Sequence, residues 1–123
     1  MGIMRGGEYI TKPEQYALVY SEGSSWSNSL VVMKVRPNEL GLSRYGFSVS
    51  RRVGKAVVRN RVKRLFREIL RKTTLKPGWD IIFIARTQAA RSDYAVLGKA
   101  VSGLLLRAGI FVGDYERVRP GAN

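Results

Sequence analysis

The sequence predicts an α+β fold, a single-domain α–β sandwich in the order helix, strand, strand, helix, strand, helix. Three patterns carry that prediction. From Val58 onward, Val58, Val62, Leu65, Phe66 and Ile69 gather on one side of a helix turned by ~100° per residue. Leu30–Val35 and Trp79–Ala85 are short apolar runs with few interruptions, as in strands covered on both faces. Tyr45 to Ser50 alternates, with Tyr45, Phe47 and Val49 opposite Gly46, Ser48 and Ser50, as a half-buried strand does. With 123 residues the chain can close one core without disulfides, so a single domain over 1–123 is expected, with flexible ends at 1–9 and 117–123.

Taken in order, Thr11-Lys12-Pro13-Glu14 reads as a capping box with proline in the first turn, where its missing N–H is harmless. The helix it opens is expected to run to about Ser21 and stop at Gly23, with Tyr16, Val19 and Tyr20 on one face. Ser24 to Ser29 is a polar loop, Leu30–Val35 the first strand, Pro37 to Gly41 a turn and Tyr45–Ser50 the second strand. The loop Arg51–Lys55 leads into a basic helix that ends near Lys72, ahead of Pro77-Gly78. Trp79–Ala85 is the third strand, and its unbroken apolar character predicts a central place in the sheet. Ser92-Asp93 opens the last helix, whose stripe is Tyr94, Leu97, Val101, Leu104, Leu105 and Ala108 and whose stop is Gly109. Ile110-Phe111-Val112 leaves a further short strand open. Trp26 and Trp79 read as packing residues, because indole carries a large apolar area.

The formal net charge of +13 is unevenly distributed. Residues 1–43 balance four cations with four carboxylates, and residues 73–123 set seven cations against four carboxylates. Residues 44–72 hold eleven cations and a single carboxylate, Glu68. Solubility alone does not call for such crowding, and like charges this close repel until a polyanion relieves them.

The remaining composition restricts the chemistry. The absence of histidine removes the commonest general acid–base and metal ligand, and the absence of cysteine removes thiol nucleophiles, thiolate sites and disulfides. The nine carboxylates are scattered rather than convergent, and Asp80 and Glu68 read as partners of arginine or strand-edge residues. No Walker-type or dinucleotide glycine pattern is present. Neither catalytic nor metal-ligating residues are therefore expected. No apolar run approaches the ~20 residues of a membrane span and no signal-peptide pattern opens the sequence, so a soluble, cytoplasmic protein is expected.

The basic helix points to the partner. Asn60, Lys63, Arg64, Arg67 and Arg71 gather opposite the apolar side, forming a cation stripe with a rise of ~1.5 Å per residue between successive positions. Phosphates repeat along a backbone in the same way, arginine can fork across two phosphate oxygens, and Asn60 can reach a base edge or a 2′-hydroxyl. A membrane surface fits less well, since the apolar side is needed for the core. A major-groove DNA reader fits less well too, since no helix precedes residues 55–72 at helix-turn-helix spacing. The stripe by itself serves a ribosomal or assembly protein that only structures RNA as readily as it serves an RNA-processing protein.

A longer stretch narrows this. Gly46-Phe47-Ser48-Val49-Ser50-Arg51-Arg52-Val53-Gly54-Lys55-Ala56-Val57-Val58-Arg59-Asn60-Arg61-Val62-Lys63-Arg64 resembles the signature of the bacterial ribonuclease P protein subunit, an Arg-Asn-Arg motif after a strand and a Val-Gly-Lys-type loop. The likeness is close over residues 45–72 and looser over the Tyr16–Tyr20, Gly78–Arg86 and Tyr94–Leu106 segments.

The resemblance implies a left-handed βαβ crossover within the sandwich, although general rules favour the other hand. It implies the non-catalytic protein subunit of a tRNA-processing endonuclease whose catalyst is its RNA, with Mg²⁺ held mainly by that RNA. The partners implied are ribonuclease P RNA and precursor tRNA, with the protein monomeric within the holoenzyme. Arg51, Arg52, Lys55, Arg59, Asn60, Arg61, Lys63, Arg64, Arg67 and Arg71 would face the catalytic RNA. Tyr16, Tyr20, Tyr45, Phe47 and Ser48 would line a cleft for the single-stranded 5′ leader, where tyrosine faces can stack on unpaired bases. As an i, i+4 pair Tyr16 and Tyr20 fit core packing equally well, and Tyr45 and Phe47 can face the cleft or the core. Ile10-Thr11-Lys12-Pro13-Glu14-Gln15 is less basic than the family pattern leads one to expect.

Overall fold

In the computed structural model, which describes residues 4–5 and 8–114, the chain runs β1 (Met4–Arg5), β2 (Glu8–Tyr9), α1 (Pro13–Glu22), β3 (Ser24–Ser27), β4 (Val31–Pro37), β5 (Arg44–Ser48), α2 (Ala56–Arg71), β6 (Thr73–Leu75), β7 (Trp79–Ala85), a 3-10 turn (Thr87–Arg91), α3 (Tyr94–Arg107) and β8 (Phe111–Asp114). The main sheet has the order β2-β5-β7-β4-β3. The apolar β7 is thus central, as its composition predicts. It pairs in parallel with β5 and antiparallel with β4, so β5, α2 and β7 form the βαβ unit. A second, antiparallel sheet has the order β1-β6-β8.

Strand alternation divides the core in two. Val31, Met33 and Val35 of β4, Tyr45 and Phe47 of β5, and Ile81, Phe83 and Ala85 of β7 share one cluster with Val62, Phe66, Ile69 and Leu70 of α2 and with Leu97, Val101, Leu104 and Leu105 of α3. On the other face Ile82 packs with Val19 of α1 and Ile10. The result is three layers, with α1 on one side of the sheet and α2 with α3 on the other. Phe66 is fully buried, and its ring stacks on Phe47 at 5.1 Å and 8° and lies 6.0 Å from Phe83. Trp26 and Trp79 both pack against this larger cluster, as expected.

The helix boundaries follow local chemistry. α1 begins at Pro13 with Lys12 as its cap, one residue later than the predicted box, because Gln15 Oε1 rather than a threonine hydroxyl closes the turn, accepting from the Thr11 and Lys12 N–H groups at 3.2 Å each. Asp93 caps α3 through the Val96 N–H at 2.9 Å, and Gly109, at φ 78°, ends it in the left-handed conformation that glycine adopts most easily.

Three expectations are corrected. The Ser24–Ser29 loop is instead β3 over its first four residues, held by pairing with β4 and by Trp26. β4 is covered fully on one face only; Val32 and Lys34 are half-buried because α1 does not shield the whole outer face. Thr73–Leu75 pairs as β6, too short to show a period in the sequence, and Phe111–Asp114 pairs with it as β8. Met4–Arg5 and Glu8–Tyr9 pair with β6 and β5. Residues 117–123 lie outside the described residues.

Asp80 is only 2% exposed and sits between Arg44 and Arg36 in the strand register. Its Oδ1 accepts from Arg44 Nε and Asn38 Nδ2, each at 2.8 Å, and its Oδ2 accepts from Arg44 Nη2 at 2.7 Å. This bidentate bond, with the carboxylate charge beside it, raises the Arg44 pKa. Replacing Asp80 by Ala leaves Arg44 and Asn38 without their acceptor inside the sheet. A loss of roughly 3 kcal/mol in denaturant unfolding is expected; a change below about 0.5 kcal/mol would show that the pair contributes nothing net.

Candidate nucleic-acid interface

The segment leading into α2 is a tight loop. The Val53 N–H bonds to the Ser50 carbonyl at 3.1 Å and the Gly54 N–H to the Arg51 carbonyl at 3.2 Å. Val53, 6% exposed, anchors the loop in the core, while Arg51, Arg52 and Lys55 stand exposed around it. α2 then splits as its period dictates. Val62, Phe66, Ile69 and Leu70 are buried, and Asn60, Arg64, Arg67 and Arg71 are exposed, with Lys63 half-buried at the margin. The first turn of α2 contains no acidic residue.

The cations of this segment are not equivalent. Arg59 Nε donates to the Gly54 carbonyl at 3.1 Å and ties the helix back to its entry loop. Arg61 donates from Nη1 to the Ala90 carbonyl at 3.3 Å and from Nη2 to the Ser92 carbonyl at 2.5 Å. Its guanidinium thus joins α2 to the segment between the 3-10 turn and α3. Arg61 thus holds the fold together, about a quarter-turn away from the Asn60 stripe. Arg71 pairs with Glu68 at 2.8 Å in the open, an arrangement of small energetic weight. Among the described residues, Arg64 and Arg67 have no carboxylate partner.

The aromatic set divides between the two faces of the sheet. Tyr45 is 4% exposed in the larger core cluster, where burial first and Tyr9 second push its phenol up to about 12. Phe47 packs between Tyr45, Phe66 and Phe83 on the same side. Tyr45 is a core residue and Phe47 is half-buried against the same cluster; strand parity puts both opposite Gly46 and Ser48. Tyr16 rests half-buried against the smaller cluster on the other face, and Tyr20, one turn on, is 42% exposed. Burial raises the Tyr16 pKa, Tyr20 adds to the rise, and the Phe47 backbone N–H opposes it.

The register aligns Ser48 with Ile84 and Ile84 with Val32, and all three are half-buried on the α1 side of the sheet. Val32 and Ile84 were not singled out from the sequence, since an apolar run does not reveal that one of its faces is only partly covered. Among the described residues no group of three metal-ligating side chains gathers. Asp80 is held by Arg44 and Asn38 and Glu68 by Arg71, so these carboxylates do not fit a magnesium site, and no step is derived through one. No helix of the described residues is long and apolar enough to cross a membrane.

These features define a class: a basic three-layer α–β protein whose charge is gathered on one helix. The family model described as Ribonuclease P matches residues 4–109. The ribonuclease P protein component of Dehalococcoides mccartyi strain CBDB1 is 49% identical over 114 residues, covering 93% of this chain and 95% of that protein. The corresponding protein of Thermoanaerobacter sp. strain X514 is 40% identical over 109 residues, covering 87% and 94%. Among solved structures, the RNase P protein of Staphylococcus aureus superposes with a TM-score of 0.75 at 30% identity, covering 84% of this chain and 96% of that one. That of Thermotoga maritima gives 0.73 at 32% identity, covering 81% and 96%. The chain belongs to the ribonuclease P protein family, the protein component of a tRNA-processing endoribonuclease whose partner is ribonuclease P RNA.

The split between Arg61 and its neighbours is open to test. Arg61→Ala is expected to lower stability by roughly 1.5–3 kcal/mol, as the loss of a charged donor to two carbonyls does, whereas Arg64→Ala stays within about 0.5 kcal/mol of the parent. Thermal or urea unfolding of the two variants checks this, and equal stability would return Arg61 to the surface set.

Proposed function

We propose that α2 and its entry loop dock on the catalytic RNA and that the α1 side of the sheet receives the 5′ leader of precursor tRNA. The observation that carries this reading is the exposed stripe of Asn60, Arg64, Arg67 and Arg71 on a helix whose other side is committed to the core. Arg51, Arg52 and Lys55 extend the same positive field ahead of the helix. Lys63 and Arg59 add charge at its margin.

The protein acts by position and charge, and the bond is broken in the RNA, which holds Mg²⁺. Cations between catalytic RNA and substrate offset phosphate repulsion, so less metal is needed to bring the two together. Tyr16 and Tyr20 offer aromatic surface above Ser48, Ile84 and Val32, where unpaired leader bases can stack with little sequence preference. The protein works as a single copy beside its RNA in the cytoplasm.

Addition of the protein to ribonuclease P RNA at low Mg²⁺ is expected to restore precursor cleavage that the RNA alone no longer supports. Absence of any gain would leave only an RNA-structuring role. Arg64→Ala and Arg67→Ala should each weaken RNA binding and lower the slope of log K against log salt by roughly one. Binding measured from low to moderate salt checks this, and an unchanged slope removes the residue from the interface.

A further inference from the structure

Gly46 lies in the middle of β5, where a glycine costs chain entropy and leaves the sheet without a side chain to pack. Its φ is not in the left-handed region, so the backbone conformation does not call for glycine. Space does. A Cβ on Gly46 would stand 2.2 Å from the Tyr16 hydroxyl oxygen, 2.7 Å from its Cζ and 3.0 Å from its Cε1. The phenol ring therefore rests directly on the β5 backbone. β2 pairs with β5 only at Arg44 and Tyr45, and the Phe47 backbone N–H, two residues further on, is near enough to the Tyr16 hydroxyl to oppose the rise of its pKa.

We infer that Gly46 is a positioning residue for leader recognition: by leaving room for the Tyr16 ring against β5, it sets the height and tilt of that ring over the surface formed by Ser48, Ile84 and Val32. With one side of the ring on the backbone and the hydroxyl facing Phe47, Tyr16 offers a leader base its remaining π surface. Any side chain at Gly46 lifts the ring from its seat. The inference rests on the reading of the α1 side as the leader surface, and the experiment separates the two.

Gly46→Ala, Tyr16→Ala and the double variant are assembled with ribonuclease P RNA and assayed for affinity towards precursor and mature tRNA. Titration of Tyr16 in each free protein carrying it is followed by tyrosine-ring ¹³C NMR. Gly46→Ala is expected to reproduce the precursor-specific loss of Tyr16→Ala, roughly five- to a hundredfold, with the double variant no weaker than Tyr16→Ala. Tyr16 should titrate above the ordinary tyrosine range in the parent and move back towards it in Gly46→Ala. Parent-like precursor affinity in Gly46→Ala, beside a loss in Tyr16→Ala, overturns the positioning role. A Tyr16→Ala variant with no loss overturns the leader reading instead, and an unmoved Tyr16 titration in Gly46→Ala overturns the seat itself. If Gly46→Ala does not fold, the double variant, relieved of the collision, should; failure of both overturns the inference.

Discussion

The azimuth of α2 is fixed by one aromatic seat. Phe66 is fully buried, stacked on Phe47 and against Phe83, so it engages two adjacent strands of the sheet at once. Rolling the helix by one residue would turn it by ~100°, withdraw Phe66 and drive arginines into the core. Core packing therefore decides which side chains of α2 meet the outside. A buried phenylalanine costs roughly 3–5 kcal/mol to remove, several times the weight of an exposed ion pair such as Arg71–Glu68. The charged surface is a consequence of the apolar one.

The same logic applies to the sheet. Successive residues of β5 point to opposite faces, so Tyr45 and Phe47 serve the α2 side while Gly46 and Ser48 serve the α1 side. One strand thereby anchors α2 with its large residues and leaves room for α1 with its small ones. The two surfaces proposed to meet RNA lie on opposite layers and share β5 as their common support. Asp80, bonded to Arg44 and Asn38, fastens β5 to β7 and to the segment after β4 at the other end of these strands.

Much of this was legible in the sequence, and the exceptions have physical reasons. The period of residues 58–71 gave α2 and its exposed side almost residue for residue, because a helix half in a core and half outside leaves the strongest pattern a sequence can carry. The unbroken run of β7 placed it at the centre. β3 and β6 were missed because three or four residues show no period and are held by pairing with strands distant in the chain. Arg61 looked like its neighbours because a guanidinium bonded to the carbonyls of Ala90 and Ser92 leaves no mark in composition. Alternation already separates Tyr45 and Phe47 from Ser48. The small residues on one face of β5 leave room for a close approach, and the group that arrives is the Tyr16 ring.

The crowding of charge has an energetic meaning that links these surfaces to the partner. Of the eleven cations in residues 44–72, Arg44 and Arg71 have carboxylate partners, and Arg59 and Arg61 have carbonyls that hold the guanidinium without cancelling its charge. Lys72 lies 5.6 Å from the Tyr94 ring centre, which weakly compensates it. The rest repel one another across one loop and one helix. More glutamates along α2 would quiet that repulsion in the free protein, but they would also repel phosphate, so the sequence leaves the charge unbalanced. By linkage, a ligand that binds the folded form alone stabilises it by about 2.7 kcal/mol at a hundredfold excess over its dissociation constant. On the proposed docking, RNA would supply both the counter-charge and this stabilisation. On that proposal the folded protein with its RNA, rather than the free chain, is the state in which the forces on α2 are balanced.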